Sequence, residues 1–155
     1  MTFVKDEVNT MEKNPIIDWN EKFSVDIPEI DELQKKMFKL LNVLLEMKES
    51  KSDAKDCSNM IAEINEYSRY YFSKEEEYLR NCSYPEIKEH TREHRHFIKS
   101  TISLRRQVAD DKNTLSTESI VHLMTWLENH ILNSDLMYVP FMRINRYIRE
   151  CRGGN

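Results

Sequence analysis

Turn-forming residues are scarce in this chain: 155 residues contain only two glycines and four prolines. A fold of many short strands needs far more of both, so the scarcity points to a few long helices. Long apolar runs are missing too, and no stretch approaches the roughly 18–20 apolar residues of a membrane span. There is no CxxC pair. Three cysteines, Cys57, Cys82 and Cys151, are odd in number and widely spaced, and they read as ordinary thiols. With no signal-like apolar run near the N-terminus, they point to the reducing cytoplasm. Neither sign of charge dominates, since the net charge is −4. No basic stripe is interleaved with aromatics. Neither a nucleic acid nor a membrane is therefore expected as a partner.

The length suits one domain with a single core that needs no disulfides. Charged residues make up 32% and apolar ones 39%, the balance of solvated helix faces around an apolar centre. Residues 1–29 lack helical periodicity over most of their length. They carry Pro15-Ile16-Ile17-Asp18-Trp19, Phe23, Val25 and Ile27, so an arm packed on the rest is expected. The first dozen residues, and Arg152-Gly153-Gly154-Asn155 at the other end, are expected to fray.

Residues 30–151 then read as four helices. The first covers about 30–49, with Ile30, Leu33, Met37, Leu40, Leu41 and Leu44 on one stripe. The second covers about 54–81, with Ile61, Ile64, Tyr67, Tyr71 and Tyr78. Tyr84-Pro85 starts the third, whose stripe is Ile87, His90, His94, Phe97, Thr101, Leu104 and Val108. Asp110-Asp111-Lys112-Asn113 reads as a loop. Ser116 or Thr117 caps the fourth, which carries Ile120, Leu123, Leu127, His130, Ser134 and Tyr138. Pro140 is expected to kink that helix or end its regular part. Short connections between long neighbours make an antiparallel up-down-up-down four-helix bundle, an all-α fold.

The informative residues are ionisable ones on inward stripes. His90 and His94 are four residues apart, which stacks two imidazoles on one face of a helix. Glu75 follows Tyr71 by four on the inner stripe of the second helix, and His130 points inward from the fourth. Asp135 lies five residues after His130, about 140° round an ideal helix. That offset suits two ligands only where the side chains lean together or the helix is locally distorted. Buried carboxylates and imidazoles are paired or bind metal, and this donor set suits iron, zinc or copper. His96 and His122 lie off the inner stripes and read as surface residues.

Several blocks in order make the chain resemble the hemerythrins, in particular single-domain bacterial ones. They are Trp19-x-x-x-Phe23, Ile30-Asp31, Tyr67-x-x-x-Tyr71-Phe72-x-x-Glu75-Glu76, Tyr84-Pro85-x-x-x-x-His90-x-x-x-His94-x-x-Phe97 and Trp126-Leu127-x-x-His130-Ile131-x-x-x-Asp135. The resemblance implies a four-helix bundle with a non-haem diiron centre that binds dioxygen. Glu75 and Asp135 match the two bridging carboxylates. His90, His94 and His130 match the histidines of the coordinatively saturated iron. Two histidines of the other iron are replaced, by Gln34 and Tyr71.

Three readings of this altered centre stand open. One is a single iron held by the three histidines and a carboxylate. Another is a dinuclear site in which Tyr71 ligates as phenolate and Gln34 through its amide oxygen. The third is a metal-free scaffold for sensing or interaction. The two retained carboxylates and Tyr71 favour a dinuclear or partly occupied iron centre. The ligand expected is dioxygen, peroxide or nitric oxide, handled otherwise than by ordinary reversible oxygen carriage.

Overall fold

Proline and short polar side chains set where the helices start. Helix α1 (Pro28–Glu49) opens on Pro28, whose fixed φ suits a first turn and whose missing N–H costs nothing there. Helix α2 (Ala54–Asn81) is capped by the Asp53 carboxylate, which accepts from the Asp56 N–H at 2.8 Å. Helix α3 (Ile87–Asp110) follows the Tyr84-Pro85 turn. Helix α4 (Thr117–His130) starts from a reciprocal capping box between Ser116 and Ser119. The stops are made without glycine. Lys51 and Ser83 adopt left-handed backbone, each at φ 57°, after α1 and α2. The next N–H groups, of Ser52 and Tyr84, then reach back to the Met47 and Leu79 carbonyls, both at 2.9 Å.

The fourth rod is longer than α4. It widens into a π-helical turn, Ile131–Asp135, and continues as α5 (Leu136–Gly153). Rods α1, α2, α3 and α4 pack in a ring in which α1 and α3 each touch α2 and α4. The computed structural model describes residues 16–111 and 115–153, and among these no strand occurs. The architecture is an all-α, up-down-up-down four-helix bundle.

An N-terminal segment lies along α1. The Ile17 N–H donates to the Asn42 side-chain oxygen at 3.0 Å, and the Asn42 amide returns a 2.8 Å bond to the Ile17 carbonyl. Phe23 packs edge-on against Phe38. Ser24 and the Val25 N–H both donate to the Asp31 carboxylate. Ile17, Phe23, Val25 and Ile27 are buried.

Several expectations are corrected. On α2 the buried line runs through Ile61, Ile64, Ser68, Tyr71, Phe72, Glu75 and Leu79. Tyr67 and Tyr78 sit at its edge, where their hydroxyls donate to the Leu33 carbonyl and the Glu29 carboxylate. Ser134 is only half-buried, because the π turn rotates Asp135 into the core instead. Pro140 does not end the helix. It forfeits one bond, to the Leu136 carbonyl just past the π turn, while later residues anchor α5 to the bundle. The Arg143 Nε donates to the Asp26 carboxylate and Arg149 to the Asn81 carbonyl, each at 2.7 Å. Asp110, expected in a loop, is the last residue of α3, and Arg152 and Gly153, expected to fray, close α5. Pro15 and the first dozen residues, Lys112, Asn113, Gly154 and Asn155 lie outside the described residues.

Candidate metal centre

Three rods deliver five donor side chains to one point. Helix α2 brings Glu75, α3 brings His90 and His94, and the fourth rod brings His130 and Asp135. All five are at most 4% exposed. Their donor atoms lie within 4.8 Å of one another. Glu75 Oε1 is 2.6 Å from His90 Nε2 and 2.9 Å from His94 Nε2. Asp135 Oδ1 is 3.2 Å from His90 Nε2 and 3.1 Å from His130 Nε2. His94 Nε2 and His130 Nε2 face each other at 3.1 Å. Donors about 2.1 Å from one octahedral ion sit roughly 3 Å from their neighbours, so these spacings fit a single cation.

The π turn makes the fourth-rod pair possible. A straight α-helix would leave Asp135 well round the barrel from His130. Hydrogen bonding from i to i+5 stacks residues five apart, and the turn spans the interval between these two.

The electrostatics show what the cluster lacks without an ion. Burial opposes a charge on His90, yet Asp135 and Glu75 beside it raise its pKa to about 9. Burial likewise opposes a charge on His130, and Asp135, Glu93 and Glu75 raise it to about 10. Burial pushes the Glu75 carboxyl up, but the His90 and His94 contacts win and hold it well below the usual range. Two protons thus stand in for a cation. They do so incompletely, since neither Asp135 oxygen nor His94 Nδ1 has a well-formed hydrogen bond. A fully buried carboxylate in that condition is costly, and a cation at the convergence point would satisfy it.

A pH dependence follows. Both histidines have folded pKa values above the usual 6.5. Their stabilisation of the metal-free protein is fully present below about pH 6.5 and is lost as pH rises through 9 to 10. The metal-free melting temperature should therefore fall across pH 8–10.5. A divalent ion must displace the same protons, so metal uptake at pH 7 in weak buffer should release about two of them per ion. Uptake without proton release would contradict this assignment.

A second layer orients the donors. Glu93 accepts from His130 Nδ1 at 2.7 Å and from the Ser134 hydroxyl at 2.6 Å. This fixes the tautomer that leaves Nε2 facing inward. The two donors, His130 first, hold the Glu93 carboxyl at about 2. The Tyr138 hydroxyl donates to Glu75 Oε2 at 3.0 Å. Phe72 stacks on His94 at 4.0 Å between centroids, and Trp126 stacks on His130 at 4.9 Å. Glu93 was not singled out from the sequence. The available signal was its place between His90 and His94, on the flank of their stripe. Replacing Glu93 by alanine should weaken metal affinity by roughly 10–100-fold while leaving the fold intact, measured by competition with a chelator. Undiminished affinity would remove Glu93 from the site.

Gln34 and Tyr71 are both fully buried beside the cluster. The Gln34 oxygen accepts from the Trp19 indole N–H at 2.9 Å. Its Nε2 and the Tyr71 hydroxyl have no well-formed hydrogen bond. Burial, then the charges of Asp135 and Glu75, push the Tyr71 phenol well above 10, with the Gln34 amide working against them. His96 and His122 are exposed. Cys57, Cys82 and Cys151 are free thiols.

A four-helix bundle that converges three imidazoles and two carboxylates belongs to the class of histidine–carboxylate metal-binding bundles. Within that class the chain belongs to the hemerythrin family: the profile of the hemerythrin HHE cation binding domain matches residues 25–142. The bacteriohemerythrin of Clostridium acetobutylicum is 30% identical over 125 residues, covering 78% of this chain and 97% of that one. The bacteriohemerythrin of Stenotrophomonas maltophilia is 30% identical over 140 residues, covering 88% and 89%. The myohemerythrin of Theromyzon tessulatum is 27% identical over 120 residues, covering 77% and 88%. A solved crystal structure of a point mutant shares the fold, with a TM-score of 0.75 at 18% identity over 82% of this chain and 97% of that one. Membership supports non-haem iron binding and an oxygen-related role, and the five-residue cluster is the candidate metal site. No helix among the described residues is long and apolar enough to cross a membrane.

Proposed function

We propose that this chain holds one non-haem iron between His90, His94, His130, Glu75 and Asp135, and that it binds or reacts with dioxygen or a related small ligand such as peroxide or nitric oxide. The carrying observation is the orientation of Gln34. Its oxygen is committed to Trp19, so the end turned toward Tyr71 is its amide nitrogen, which is not a metal donor. A second iron would need that oxygen as a donor, and it already accepts from the Trp19 indole. The geometry therefore favours the single-iron reading over the dinuclear one.

When bound between these five residues, iron would supply a Lewis-acidic centre able to change charge by one electron. The protein's part is to hold that centre dry and oriented. Glu93 and the two ring stacks fix the imidazoles. Tyr138 fixes Glu75. A one-electron centre with one anchored half does not suit the ordinary carrier role of a paired site. The cytoplasm remains the compartment we propose.

The test is reconstitution of the full chain with ferrous iron under anaerobic conditions. At an excess near 1,000-fold over the dissociation constant, binding adds about 4 kcal/mol. For a chain of this size the melting temperature should rise by roughly 10 °C and fall back with chelator. No shift in the presence of excess ferrous iron would remove the metal reading.

A further inference from the structure

Helix α5 is held to the bundle from one side. Tyr138 and Val139 are buried there, and Met142 packs against the core. From the same side Arg143 donates to Asp26 and Arg149 to the Asn81 carbonyl. The opposite side carries Met137, Phe141, Ile144, Ile148 and Cys151, at alternating steps of four and three residues. At about 100° per residue these five fall within an arc of roughly 80°, centred opposite Arg146. Steps of four and three are the a/d repeat of a coiled-coil seam, carried here through two heptads on a helix that the bundle already holds folded.

The seam faces outward. Met137 is 69% exposed, Ile144 61% and Ile148 43%, and Tyr147 at its rim is 68% exposed. Phe141 rests one edge on Tyr84 and is half-buried. Together these side chains leave roughly 400–500 Å² of contiguous apolar surface, the size of patch that marks an interaction site. Ile16 and Tyr70 are exposed elsewhere and singly, which is ordinary. A helix that lies on a lipid surface flanks its apolar face with basic residues. Here Arg143, Arg146 and Arg149 lie on the far side of α5, toward the bundle, and only Arg152 borders the seam.

We infer that this face of α5 is a self-association surface, on which a second copy of the chain lays its own α5 in parallel. An a/d seam fits its own likeness, and a twofold pair presents the same patch from both sides. Two such faces bury about 1,000 Å² between them, the area at which an interface holds in solution. The rim sets the direction. In a parallel pair Tyr147, at a g position, meets the second copy's Arg152 at the following e position, a cation over an aromatic ring. The same pairing brings the two exposed Cys151 thiols, at a d position, face to face. The seam lies outside the metal cluster, so the inference stands apart from the iron reading.

The experiment is analytical ultracentrifugation of the full chain in reducing buffer, up to high micromolar concentration. The expected mass is twice the 18.7 kDa of one chain. Ile144→Lys, in mid-seam, should weaken association at least about 30-fold, the loss at a central interface residue. Ile148→Lys should do the same. Both should keep the parent's helical circular dichroism, since these side chains are exposed in the single chain. Tyr70→Lys, an exposed apolar position on α2, should leave association unchanged. Diamide, which takes one electron and one proton from each of two thiols, should link the parent as a Cys151–Cys151 disulfide dimer. Cys151→Ser and Ile144→Lys should not be linked. A parent of single-chain mass at every concentration overturns the inference. So does a dimer that both seam variants leave intact. A dimer that diamide fails to link overturns the parallel pairing. A single chain that instead sediments with phosphatidylserine–phosphatidylcholine vesicles overturns it in favour of a lipid surface.

Discussion

The double change Gln34→His and Tyr71→His is expected to raise bound iron from about one to about two per chain, and to create a reversible oxygenated spectrum that the parent lacks. Both positions are fully buried on inner helix lines that face the existing cluster. An imidazole at either place presents a neutral nitrogen where the present chain offers an amide N–H₂ or a phenol. Glu75 and Asp135 are already in place to be shared between two ions, which carboxylates do well. The Trp19 indole poses a specific constraint. It loses its amide acceptor, and an imidazole at position 34 can accept from it only by giving up a ligating nitrogen. Trp19 is therefore expected to release that bond in the variant. Anaerobic iron analysis and visible spectroscopy on exposure to oxygen decide the matter. A variant that still binds one iron would show that the second position was lost through more than these two residues.

Glu75→Gln is expected to be the most damaging single change. This carboxylate contacts His90 and His94 through one oxygen and accepts from Tyr138 through the other. Breaking a buried ion pair by removing one partner costs about 3–5 kcal/mol. For a chain this size the metal-free melting temperature should fall by roughly 10 °C. His90 should become easier to deprotonate, because one of the charges that raises it is gone. Iron uptake should fall to a small fraction of the parent value. A Glu75→Gln protein with parent-like stability and iron content would mean that the cluster is not organised around this carboxylate. Asp135→Asn should likewise lose iron, and it should make both His90 and His130 easier to deprotonate, because Asp135 is the leading group that raises each.

The fold was legible because its signals are long and repeated. Apolar residues at helical spacing over more than twenty positions, and a chain almost without glycine, leave few alternatives to a bundle. The ligand types were legible for a related reason: His90 and His94 stand on a stripe that is otherwise apolar. What stayed hidden is local. A π turn inserts one residue into a helix while the pattern beyond it keeps its period, so the sequence placed Ser134 inward where Asp135 belongs. It flagged the mismatch between His130 and Asp135 without locating its cure. Glu93 was hidden because a glutamate on a helix flank is ordinarily solvated, and only the fold brings His130 to it. The Trp19–Gln34 bond was hidden because it joins the N-terminal segment to α1. Yet that bond decides which end of Gln34 faces the site, and the single-iron reading we propose rests on it. Lys51 and Ser83, in left-handed turns where glycine is usual, mark the same limit: helix stops depend on backbone geometry that side-chain patterns do not record.

The most direct test is the iron count of the parent chain, reconstituted anaerobically with excess ferrous iron, desalted, and measured against protein determined by amino-acid analysis. The account predicts about one iron per chain, with His94→Ala reducing it to near zero. About two irons per chain in the parent would contradict it, since Gln34 and Tyr71 would then be serving as ligands to a second ion.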